Sequence, residues 1–203
     1  MKYLYFFIIL FCMSCSITDL RETWFSKLKS QKEIEKIWNT PECFIFEDFS
    51  SPSEYRWGIV NDWVMWGKSR WSFEISENRL VFSGMINTNG GGFSSLRGNL
   101  ETGLLSDYSS VSLTARSDGR EYKVTFRDSN NSRISHQAVI PFQNPWELET
   151  VSISFDELET TFFWQNVSSE PFQKEKAQQI WVIIADWIDW AFRLEIEEVK
   201  FCR

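Results

Sequence analysis

Four stretches of this chain alternate apolar and polar side chains with a period of two. Val111, Leu113 and Ala115 alternate with Ser112, Thr114 and Arg116. Tyr122, Val124 and Phe126 alternate with Lys123, Thr125 and Arg127. Val151, Ile153 and Phe155 alternate with Ser152 and Ser154, and Phe192, Leu194 and Ile196 with Arg193, Glu195 and Glu197. Successive side chains of a strand point to opposite faces, so each stretch predicts a strand with one buried and one wet face. Turn-forming residues separate them: Ser117-Asp118-Gly119, Asp128-Ser129-Asn130-Asn131 and Gln143-Asn144-Pro145. Short strands at this density, with little helix between them, predict an antiparallel sandwich or barrel. Val111, Leu113, Val124, Phe126, Val151, Ile153, Leu194 and Ile196 are its expected core.

The amino-terminal part reads differently. Residues 1–15 are MKYLYFFIILFCMSC. Lys2 supplies a positive start and Leu4 to Phe11 an apolar run, too short for the roughly 20 residues of a membrane-spanning helix. Its length fits a signal-peptide core. Ser14 before Cys15 resembles the cleavage box of bacterial lipoproteins, which predicts a signal peptide over 1–14 and lipid attachment at Cys15. A plain secretory signal is the competing reading. In the segment that follows, 15–42, Leu20, Trp24, Leu28, Ile34 and Ile37 fall at near-helical spacing. Asp19 is a cap and Pro41 a stop. A short helical spacer is expected there, and the β-rich domain over 43–203. Cys43 and Cys202 then remain in the folded part, as a disulfide in an oxidising compartment or as two buried thiols.

Charge excludes one class of function. The net charge is −7 and the pI about 4.9, which argues against a general nucleic-acid binder, because the phosphate backbone needs a basic surface. Most chemical motifs fail on inspection. Gly67-Lys68-Ser69 looks like the end of a phosphate loop, but the earlier glycine it needs is Asp62. Gly90-Gly91-Gly92 lacks a further glycine at Ser95 and has strand-like flanks, so a bulge or a close backbone approach is expected. His136 is the single histidine, outside any recognised nucleophile motif and in a polar stretch that predicts a solvated position. No catalytic residue and no cofactor follow from the sequence.

Residues 57–69, WGIVNDWVMWGKS, resemble the W-x-x-V-N-D-G-V-M-G-G-x-S signature of the complex I intermediate-associated protein 30 family. Further motifs follow in order. Phe82-Ser83-Gly84 precedes Asn89 to Arg97 (NGGGFSSLR), similar to N-G-G-G-F-A-S-V-R. Ser117 to Tyr122 is similar to G-D-G-R-x-Y, and Phe192 to Ile196 to F-x-L-E-I. The resemblance implies a galactose-binding-like jelly-roll sandwich, related in shape to carbohydrate-binding modules. Mitochondrial members assist assembly of respiratory complex I and are not known as enzymes. The expected partner is therefore a protein of an envelope or respiratory complex, and the alternative is a glycan. A lipid at Cys15 would add contact with a membrane. First and last strands of this fold often lie side by side, which would make Cys43 and Cys202 neighbours and permit a bridge. Asn61 and Asp62 with Asn89, Arg97, Arg120 and Tyr122 read either as a buried structural staple or as a functional surface, a polar pocket with Arg97, Arg120 and Tyr122 as ligand contacts. The spacing of Arg120 and Tyr122 puts both on one strand face. The Asn61-Asp62 loop and the glycine segment are expected to touch, with an Asn61 or Asp62 side chain bonded to glycine-segment backbone.

One departure from the family pattern is systematic. Trp63 and Trp66 stand at glycine positions of the signature, and Trp71, Trp181, Trp187 and Trp190 fall where glycine is common. The chain has 11 Trp but 9 Gly, where average usage gives roughly 14 glycines. Restoring six glycines makes both counts ordinary. The pattern predicts UGA codons that the source organism decodes as glycine. The alternative is an aromatic cluster that stacks on sugars.

Overall fold

The computed structural model describes residues 42–51, 56–61, 68–89, 91–128, 133–162, 165–167 and 171–203. The signal peptide, Cys15 and the helical spacer lie outside these residues, as do Asp62, Trp63 and Trp66. The described residues form thirteen strands. They are β1 (Cys43–Glu47), β2 (Trp57–Asn61), β3 (Arg70–Ser76), β4 (Arg79–Met85), β5 (Ser94–Asn99), β6 (Ser110–Ser117) and β7 (Tyr122–Arg127). They continue with β8 (Ile134–Val139), β9 (Leu148–Ser154), β10 (Glu159–Phe162), β11 (Gln165–Asn166), β12 (Gln179–Ile184) and β13 (Ala191–Cys202).

All strand pairs are antiparallel, and two sheets result. One has the order β3-β4-β13-β6-β9, with β1 also paired to β13. The other has the order β11-β10-β8-β7-β12-β5-β2. The twelve residues of β13 organise the first sheet. Its first half pairs with β4 and its second half with β1, while β6 runs along the other side. The register slips between Ile196 and Glu198, a bulge that bends the long strand.

The alternating pattern becomes the core. Val111, Leu113, Val124, Phe126, Ile153, Leu194 and Ile196 are buried. Val151 is half-buried because β9 is an edge strand of its sheet. Phe126 packs against Phe155, Phe172 and Phe201 with ring centroids 5.3–6.4 Å apart. His136 corrects the expectation of a solvated position. It faces inward from β8, 5% exposed, against Phe172, with Nδ1 3.0 Å from Thr160 Oγ1. The polar neighbours in sequence misled because Ser135 and Gln137 lie on the opposite face of the same strand.

Gly84 shows why the Phe82-Ser83-Gly84 motif ends in glycine. A Cβ there would sit 2.2 Å from the Arg70 carbonyl oxygen and 2.7 Å from the Trp71 Cα, both backbone atoms of β3. At the end of the fold, Cys43 lies opposite Cys202 in the β1–β13 register, and a disulfide joins them with a Cα–Cα distance of 4.1 Å.

Candidate functional site

Two clusters of polar side chains draw on the sequence motifs. They lie in different places. The first surrounds Arg120. Its Nε and Nη2 donate to the Asp186 carboxylate at 2.8 and 2.5 Å. Nη1 donates to the carbonyls of Trp190 and Ala191 at 2.8 and 3.0 Å, and Nη2 also to that of Ile188 at 2.8 Å. The side chains of Arg120 and Asp186 are 10% and 7% exposed. Burial lowers the pKa of Arg120, but the bidentate Asp186 outweighs it and holds the pKa above its usual value. Asp118 completes the cluster. It accepts from the Arg120 and Arg193 N–H groups at 3.1 and 2.7 Å and from the Tyr122 hydroxyl at 3.1 Å. Burial first, and then the Asp118 charge, push the Tyr122 hydroxyl far above its ordinary pKa.

This arrangement corrects the shared groove expected for Arg120 and Tyr122. Tyr122 opens β7 and is fully buried between the sheets. Arg120 precedes the strand, in the bend at 119–120, where two-residue alternation does not apply. The guanidinium is used up in fastening the loop from Asp186 to Ala191. The glycine segment reaches the same loop: Thr88 N–H donates to Asp189 at 2.6 Å, and a Cβ on Gly92 would meet Trp187 at 3.4 Å. Asn89 is exposed, and its N–H donates to Asn87 Oδ1 at 3.0 Å. Asn61 pairs with Ser94 just past the glycine segment, and Ser95 Oγ donates to the Val60 carbonyl at 2.9 Å.

Arg97 belongs to the second cluster, on the outer face of the seven-stranded sheet. Leu96, Val182 and Val124 point into the core, so Arg97, Trp181 and Thr125 point outward from adjacent strands in the same register. The Arg97 guanidinium carbon lies 3.7 Å from the Trp181 ring centroid and that of Arg127 4.6 Å. Trp181 is 6% exposed, so its ring is covered, and Nε1 donates to Gln179 Oε1 at 3.1 Å. A cleft of about 190 Å³ opens here, with Arg133, Ser135 and Gln137 on its walls. Burial, and then the charge of Arg127, push the Arg97 pKa down to about 10. Burial also lowers that of Arg127, and Asp128 partly offsets this. Sequence reasoning missed Arg127 and Arg133. Arg127 was legible as the outward residue two places beyond Thr125, but nothing in the sequence placed it next to Arg97.

The sequence matches the family described as Complex I intermediate-associated protein 30 over residues 47–196. The chain belongs to that family. No curated protein matches it. Among solved structures, the family 11 carbohydrate-binding module from Clostridium thermocellum in complex with a β-1,3-1,4-mixed-linked tetrasaccharide superposes with a TM-score of 0.62 at 14% identity, covering 81% of this chain and 97% of that one. An agarase superposes with a TM-score of 0.55 at 10% identity, covering 80% of this chain and 25% of that one. At these identities the likeness establishes the jelly-roll sandwich fold of the complex I intermediate-associated protein 30 domain.

The backbone bears on the tryptophans. Trp187 has φ 61° and Trp146 φ 67°. Left-handed backbone costs an ordinary residue roughly 1–2 kcal/mol and glycine almost nothing. Trp146 follows Pro145 in a turn closed by Glu147 N–H donating to the Asn144 carbonyl at 3.3 Å, and a proline followed by positive φ is the pattern that favours glycine in the second place. Phe49 and Glu77 hold φ 54° and 52° as well, so it is the turn position after Pro145, and not φ alone, that adds Trp146 to the set of expected glycines. Trp71 and Trp181 lie in extended strands, which any side chain tolerates. The expected result is UGA at codons 146 and 187, with a native protein lighter by one indole side chain at each. UGG at both, or a native mass that retains both indoles, would overturn it.

Proposed function

We propose that this domain is a non-catalytic binding module that takes an extended glycan along the outer face of its seven-stranded sheet. The observation that carries the reading is the cleft on that face, walled by hydrogen-bonding side chains from adjacent strands. Sugar sites need a groove with a few well-placed polar groups. The fold it shares with a tetrasaccharide-bound module supports the choice. An exported form anchored through Cys15 fits this role, because it would put the domain where polysaccharide is found.

Recognition of a protein partner would draw on the exposed apolar group on the other side. Trp146 and Trp190 line a depression of about 600 Å³ beside Ala191, with Trp187 and Ile188 exposed nearby in sequence. Glycine at 146 and 187 would remove two of these side chains, so the glycan reading is preferred. Amide shift mapping with a panel of soluble oligosaccharides tests it. Shifts confined to β5, β12, β7 and β8 are expected. Shifts clustered around 146 and 186–191, or no binding by any oligosaccharide, would sink the proposal.

A further inference from the structure

Resting on the reading that this face binds glycan, we propose that the cleft selects an acidic saccharide, with a uronic-acid carboxylate held between Arg97 and Arg127. The two arginines reach in from opposite sides of β12 and share one ring, Trp181. Like charges so close repel, and burial adds to the cost. The cation–π contacts offset part of this cost. No carboxylate lines the cleft among the described residues. Asp128, next in the chain, offsets part of the Arg127 charge. Among the described residues Arg97 makes one hydrogen bond, from Nε to Ser95 Oγ at 3.0 Å, and the buried Nε of Arg127 has no partner. Exposed Arg133 lines the same cleft.

Arg97 and Arg127 together make a positive patch in a chain whose net charge is −7. An anion placed between Arg97 and Arg127 would supply the missing acceptors and separate the two charges. A carboxylate suits a guanidinium best, because its two oxygens match the fork of N–H donors. The cleft is smaller than the roughly 300–1,000 Å³ of a drug-sized ligand site, which fits one sugar-acid unit of a longer chain. An anion site between the two arginines does not require tryptophan at residue 181. Glycine there would remove the shared ring, enlarge the cleft and leave the arginines more in need of an anion.

The test is calorimetric titration of the full-length protein and of its Trp181→Gly form. The probes are a tetragalacturonate, a neutral mixed-linked glucan tetramer, a sulfated tetrasaccharide and inorganic phosphate. Both forms are expected to bind the acidic tetramer about tenfold or more tighter than the neutral one, with affinity falling as salt rises. Arg127→Gln and, independently, Arg97→Gln are each expected to lose about tenfold, with unchanged thermal midpoints confirming that both fold. Equal binding of the two tetramers, with amide shifts still confined to β5, β12, β7 and β8, would leave the glycan face standing and overturn its acidic selectivity. Binding of neither would overturn both. Phosphate or the sulfated probe bound as tightly as the uronate would reduce the cleft to a general anion site and overturn the proposal.

Discussion

Arg120→Ala is expected to destabilise the domain by about 3 kcal/mol or more, the usual result of removing one partner from a buried ion pair. The Asp186 carboxylate, 7% exposed in the pair, would lose both of its guanidinium hydrogen bonds. The carbonyls of Ile188, Trp190 and Ala191 would lose their donor as well. Arg120→Lys is expected to recover little of this, because a single ammonium cannot span a carboxylate and three carbonyls with a fixed fork. Urea unfolding monitored by fluorescence gives the numbers. A loss below about 1 kcal/mol for Arg120→Ala, the range of an exposed pair, would show that the loop is held by something else.

Removing the disulfide is expected to cost nearly as much. The Cys43–Cys202 bridge spans 159 residues, so its loop includes almost the whole domain. Constraint of the unfolded chain by a loop of that size stabilises the native state by about 2–4 kcal/mol. The double Cys43→Ser, Cys202→Ser variant is therefore expected to unfold at lower denaturant than the oxidised protein, by an amount close to the effect of a reducing agent on the natural sequence. β1 should loosen first. It is short, and it shares one side of β13 with β4. Unchanged midpoints after reduction would show that strand pairing alone closes the domain.

The strands were legible in the sequence because a half-buried strand repeats every two residues, and that rhythm survives any tertiary arrangement. It identified β6, β7, β9 and the first part of β13, with seven of eight predicted core residues buried. The family motifs then implied the jelly roll. The sequence misled in two places. Arg120 and Tyr122 were put on one face, but the strand begins at Tyr122. His136 looked solvated from its polar neighbours, yet alternation turns it inward. The first error extends alternation beyond the strand, and the second treats sequence neighbours as sharing one face.

The site was less legible, for a related reason. Arg97, Arg127 and Arg133 are separated by up to 36 positions, and no local pattern links them. Arg97 and Arg127 meet because β12 inserts between β5 and β7, a topological decision made by long-range strand pairing. Likewise, the sequence singled out Trp187 through its family pattern, but only the backbone, with its left-handed turn after Pro145, pointed to Trp146. By itself the sequence determined the all-β class, the family and the faces of its regular strands, because these follow from local periodicity and ordered motifs. Which arginine fastens a loop and which faces a cleft was decided only by tertiary structure, since charge acquires its role from what burial and distant strands place beside it.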